Sequence, residues 1–192
     1  LETSSVRIRR SLRTNGGRSV IGIENARAKF AIEALNFIIP ILNKFHFRWV
    51  ITGGFACFVY GVKRPLTDID IDIDTSKDSP EFDNFLMQIA PFVSQPLEHF
   101  VDINYDNYNV EITYKKQVVD ICPMAEMNIF NKSSGKYESF YLNGFPETEL
   151  VKFNGLRLPL LSKKLIIKNK TMLMWQRKSD RLDILGLGKL SK

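Results

Sequence analysis

The segment Thr67-Asp68-Ile69-Asp70-Ile71-Asp72-Ile73-Asp74 constrains this chain more tightly than any other stretch of it. Strict alternation of acid and isoleucine has the period of a β-strand, so the four aspartates share one face and the isoleucines supply the other. Neighbouring carboxylates on such a face have Cα atoms about 6.5–7 Å apart. Uncompensated like charges destabilise a sheet, and crowding raises their pKa values. The acidic face therefore needs either solvent or a cation opposite it, which means Lys, Arg or a divalent metal.

Three readings meet that need. An edge strand with a solvated acidic face would discourage edge-to-edge aggregation. A calcium loop starting at Asp70 would have Asp at its first, third, fifth and ninth positions and Glu81 at its twelfth. It lacks the glycine required at the sixth position, which is Thr75; Lys77 stands at the eighth, and Pro65 interrupts any incoming helix. In the third reading, two carboxylates one residue apart on a strand are joined by a third from an adjacent strand. Such a set can hold two Mg²⁺ ions about 3.5–4 Å apart for phosphoryl-type transfer, and hard oxygen ligands suit that metal.

The surroundings bear on the choice. "FRWVIT" reads as a buried strand that stops at Gly53-Gly54, and "FACFVYG" as a short buried helix ending at Gly61. Between a strand and a helix, exposed backbone N–H groups make a phosphate cradle. Elsewhere, Ala28, Ile32, Leu35, Ile38 and Ile39 trace an amphipathic helix from Asn25 to about Lys44, with Pro40 expected to kink it or end it early. Ser79-Pro80 marks a helix start, with Phe82, Phe85, Leu86 and Ile89 on one face. Residues 99–122 read as strands, with a hairpin of "NVEITY" and "VVDICP" turning at Lys115-Lys116. Residues 128–144 read as a loop, and the stretch from Leu161 onward as one or two helices.

"ITGGFACFVYGVKRPLTDIDIDI" closely resembles the signature of the DNA polymerase β-type nucleotidyltransferase superfamily, above all its small stand-alone members, which include abortive-infection and toxin–antitoxin enzymes. The resemblance is specific over residues 49–74 and looser to about 188. It implies an α/β (α+β) nucleotidyltransferase fold, with a short mixed β-sheet, flanking helices and a C-terminal helical segment. It also implies a two-metal enzyme that uses two Mg²⁺ ions, or Mn²⁺ in their place, to move an NMP from an NTP to a hydroxyl-type acceptor, whether RNA, protein or small molecule, with release of pyrophosphate. Carried over residue by residue, the glycine turn is Gly53 and Gly54, and the metal pair is Asp68 and Asp70. The third carboxylate is Asp120 in "VVDIC", with Asp102 in "FVDIN" as its rival. Asp72 and Asp74 have no counterpart and are expected to run out towards solvent. Arg64 and Thr67 match the positions before the metal pair, where Arg64 either pairs with an acid or contacts a phosphate. Lys170 and Lys178, and less so Lys168, are candidates to reach the nucleotide phosphates. The competing expectation there is ion pairing within the helix, such as Arg177 with Asp180. A catalytically silent nucleotide- or RNA-binding module on the same fold is the alternative.

The division expected is a basic arm over 1–22, a catalytic domain over 23–160 and a helical segment over 161–192. The arm carries Arg7, Arg9, Arg10, Arg13 and Arg18 within a chain of net charge +6, which tilts the acceptor towards RNA. Only Cys57 and Cys122 occur, inside apolar runs, and they are expected to be buried reduced thiols. His46 and His99 fit no zinc spacing. With no apolar run of the roughly 20 residues needed to cross a bilayer and no signal-peptide pattern, a cytoplasmic protein is expected.

Overall fold

A computed structural model describes residues 20–190, and side chains from Arg27 onward. Most of the basic arm therefore lies outside the described residues. The chain forms α1 (Val20–Lys44), β1 (Trp49–Thr52), α2 (Gly53–Val59), β2 (Asp68–Ile73), α3 (Pro80–Ile89), β3 (Val93–Val101), β4 (Tyr105–Tyr114) and β5 (Gln117–Pro123). There follow β6 (Asn128–Asn131), β7 (Lys136–Ser139), β8 (Thr148–Phe153), β9 (Leu156–Leu161), α4 (Lys163–Met172) and α5 (Lys178–Leu190). The strands make one mixed sheet in the order β7-β6-β4-β5-β2-β1-β9-β8, with β3 also paired to β4. β2 runs parallel to β5 and antiparallel to β1, so the acidic strand lies inside the sheet and is no edge.

The alternation of β2 separates two environments. Ile69, Ile71 and Ile73 are fully buried, each worth about 1.5–3 kcal/mol of apolar transfer. They join a core with Ala31, Leu35, Ile38 and Leu42 of α1 and with Phe82, Phe85 and Ile89 of α3. Phe37 of α1 stacks on Tyr114 with ring centroids 4.5 Å apart. α1 continues past Pro40 to Lys44, so it does not end early there. Pro40 and Asn36 are both solvent-exposed, so water can satisfy the carbonyl that Pro40 leaves without its helical donor. At α3, Ser79 accepts from the Phe82 N–H at 3.1 Å, closing the cap expected from the sequence.

The hairpin of β4 and β5 turns at Lys115-Lys116, both at positive φ (44° and 74°), as a two-residue turn matched to strand twist requires. Two stretches differ from the sequence reading. The expected loop over 128–144 contains the hairpin of β6 and β7. Residues 148–161 form β8 and β9 around Asn154-Gly155, both at positive φ, and β9 docks parallel to β1. Cys57 and Cys122 are free and buried, as expected.

Candidate functional site

The register of the parallel pair puts Asp70 directly beside Asp120, with Asp68 opposite Val118. One carboxylate oxygen from each of Asp68, Asp70 and Asp120 lies within 4.8 Å of the others. Asp102 stays apart from this cluster. Its carboxylate accepts from the backbone N–H groups of Asn104 and Tyr105, both at 2.7 Å, and so shapes the turn between β3 and β4. Burial pushes the Asp70 carboxyl up to about 8, reinforced by the charges of Asp68, Asp120 and Asp72 and offset in part by Lys170. Thr67 donates to Asp68 at 2.6 Å, and Asn109 of β4 donates to Asp120 at 3.3 Å.

The glycine turn is built around these groups. Gly53 stands at φ +61°, and a Cβ there would sit 1.8 Å from the Asp70 Oδ2. A Cβ on Gly54 would sit 2.4 Å from an Arg64 guanidinium nitrogen. Two side chains thus press against the turn, one onto each glycine, and a Cβ at Gly53 or Gly54 would displace the Asp70 carboxylate or the Arg64 guanidinium.

Arg64 donates to Asp183 of α5 at 2.6 Å. Lys170 of α4 bridges Asp180 at 2.7 Å and Asp183 at 3.1 Å, and Arg177 pairs with Asp180 at 3.1 Å, the spacing expected within the helix. Asp180 and Asp183 are fully buried, so this chain of ion pairs fixes α4 and α5 over the glycine turn. Their cationic partners hold the Asp180 carboxyl down at about 2 against the effect of burial. Lys170 is itself buried between its two acids, whereas Lys178 is exposed at the start of α5. Lys168 is exposed on α4.

Of the remaining aspartates, Asp72 corrects the expectation that both run out towards solvent. Asp72 is 2% exposed and accepts the Tyr141 hydroxyl; burial pushes it up to about 7, opposed by hydrogen bonds from Tyr141 and Thr52. Burial follows because the segment after β7 folds back over this end of β2. Asp74 is partly exposed and pairs with Arg48. Tyr141 and Asn109 were not singled out from the sequence. Tyr141 and Asp183 lie 69 and 119 residues from their partners, a separation that no local pattern signals.

The arrangement combines three carboxylates that could hold a metal ion, a glycine turn against one of them, and an ion-paired cation against the other glycine. The sequence matches no protein-family model and no curated protein. Solved structures do match it in fold. A Thermotoga maritima protein provisionally assigned as a nucleotidyltransferase superposes with a TM-score of 0.51 at 18% identity, covering 83% of this chain and 87% of that one. The lincosamide antibiotic adenylyltransferase LnuA, in its lincomycin-bound crystal structure, gives a TM-score of 0.52 at 15% identity, covering 82% and 96%. The chain has the nucleotidyltransferase fold.

Proposed function

We propose that the chain transfers a nucleoside monophosphate from an NTP to a hydroxyl acceptor with release of pyrophosphate. The observation that carries this reading is the convergence of Asp68, Asp70 and Asp120 beside the Gly53-Gly54 turn. The carboxylates are a donor set suited to Mg²⁺, with Mn²⁺ as a substitute; burial and then the crowded charges raise Asp70, and a dication would relieve the crowding. When bound, two such ions would activate the acceptor hydroxyl and neutralise the charge of the triphosphate and the departing pyrophosphate.

The protein's own groups position and neutralise. Thr67 and Asn109 orient Asp68 and Asp120. The backbone N–H groups of Gly53 and Gly54, at the start of α2, would cradle the triphosphate. Arg64 and Lys170 act through Asp183, fixing α5 against the turn. Lys170 also supplies positive potential at Asp70 without leaving its partners, and Lys178 is free to reach the outer phosphates. Rate enhancement then rests on positioning and electrostatics.

The tilt towards RNA came from the basic arm, which lies mostly outside the described residues. The lincomycin-bound neighbour supports a small-molecule acceptor instead. A silent binding module would leave three crowded carboxylates on the acidic face with nothing to gain from them. The test is thermal shift with each NTP, with Mg²⁺ or EDTA, followed by radiolabel transfer and pyrophosphate release. Mg²⁺-dependent stabilisation with pyrophosphate release is expected. Nucleotide binding that persists in EDTA and yields no pyrophosphate would leave only the silent module.

A further inference from the structure

A cavity of about 430 Å³ lies between α4 and the segment joining β7 to β8, within the roughly 300–1,000 Å³ range of small-molecule sites. Phe140, Tyr141, Leu165 and Met172 give it an apolar wall, while Glu138, Glu147 and Lys168 bring charge to its lining. Tyr141 belongs both to this wall and to the acidic face, because its hydroxyl donates to Asp72. Asp72 stands two residues along β2 from Asp70, so the cavity abuts the row of carboxylates at its Asp72 end.

Direction along β2 assigns the occupant. Thr52 is opposite Asp70 in the β1 register, which puts the Gly53-Gly54 turn, and with it the triphosphate, at the Asp68–Asp70 end. In-line displacement sets the incoming oxygen and the leaving pyrophosphate on opposite sides of the α-phosphorus. The acceptor then approaches from the Asp72 end, the end that Tyr141 shares with the cavity. Two acids against one base in the lining disfavour a polyanion, and the apolar wall favours an organic body over a phosphate backbone.

We infer that this cavity is the acceptor subsite, and that it takes a small hydroxylated molecule with an apolar or aromatic body, neutral or cationic. The inference rests on the transferase reading above. In the step it serves, the acceptor oxygen bonds to the α-phosphorus, the bond to the β-phosphate oxygen breaks, pyrophosphate leaves, and the hydroxyl proton passes to solvent.

The test supplies α-phosphate-radiolabelled NTPs with Mg²⁺ and offers, separately, an ultrafiltered small-metabolite fraction of cell extract and total RNA. Asn169→Trp fills the cavity from α4. Leu142→Arg alters its lining at a position 76% exposed, where folding is not at stake. Label is expected in the metabolite fraction. Asn169→Trp is expected to lower that transfer by about tenfold or more, and Leu142→Arg to lower it in the same direction. The calorimetric affinity of both variants for Mg²⁺·NTP is expected to stay at the wild-type value. Label entering RNA instead would overturn the inference, as would wild-type transfer in both variants. So would a loss of NTP affinity in step with transfer, which would make the cavity the nucleoside's. Wild-type protein that binds no Mg²⁺·NTP would instead overturn the transferase reading itself, and the subsite with it.

Discussion

Gly53→Ala is the substitution whose consequence the geometry states most directly. The new Cβ would lie 1.8 Å from the Asp70 Oδ2, where 3.0 Å is the shortest approach real Cβ atoms show, so the carboxylate must retreat by about 1.2 Å. The backbone also holds φ +61°, which costs an L-residue about 1–2 kcal/mol. That stability loss should lower Tm by about 2–4 °C per kcal/mol for a chain of this size. Activity should suffer far more, because a misplacement of about 1 Å at a reacting centre can cost about 10²-fold. Gly135→Ala separates the two effects: it has φ +69° and nothing within 4 Å of its Cβ. Both variants should show similar shifts in circular-dichroism melts, and only Gly53→Ala should lose NMP transfer, by about 100-fold. Equal transfer in the two would refute the link between the glycine turn and Asp70.

Three further outcomes follow from the charged groups. Lys170→Met leaves the buried Asp180 and Asp183 with only Arg177 and Arg64, and should cost about 3 kcal/mol in urea unfolding; a loss below about 1 kcal/mol would mean that the network is not structural. Burial pushes Asp70 up to about 8 and Asp72 up to about 7, from an ordinary 3.8. Their protonated forms are thus favoured by folding, and the stability this contributes is complete below about pH 4 and lost as pH rises through 7 and 8. Metal-free protein should accordingly melt at lower temperature at pH 8.5 than at pH 5.5 by these two groups, and Asp70→Asn should flatten that dependence. Tyr141→Phe removes a donor from buried Asp72 and should cost about 1–3 kcal/mol above pH 7, with less at pH 5, where Asp72 is neutral; an equal cost at both would contradict the ionised pairing.

The acidic strand was legible because period-2 alternation fixes faces without tertiary information, and Gly53-Gly54 followed from the strand–turn–helix pattern around it. The preference for Asp120 over Asp102 rested on the hairpin strand of β5, and the parallel register with β2 is what sets Asp120 beside Asp70. Tyr141 was not legible, and neither was the pairing of Asp183 with Arg64, since these partners meet only when later segments fold over the sheet. Pro40 does not end α1 early, because the cost of proline in a helix depends on whether the orphaned carbonyl reaches water, which sequence does not show. The hairpin of β8 and β9 is a different failure. Asn154-Gly155 between apolar runs is a strong local signal for a two-residue turn, and it was passed over.

The most direct test compares radiolabelled NMP transfer, with Mg²⁺ present, by wild-type protein and by Asp70→Asn, Asp120→Asn and Asp102→Asn, each confirmed folded by its melt. Asp70→Asn and Asp120→Asn should abolish transfer while keeping the fold, and Asp102→Asn, which only loosens a turn, should remain active. Mg²⁺-dependent transfer retained by Asp70→Asn or Asp120→Asn would contradict the carboxylate site.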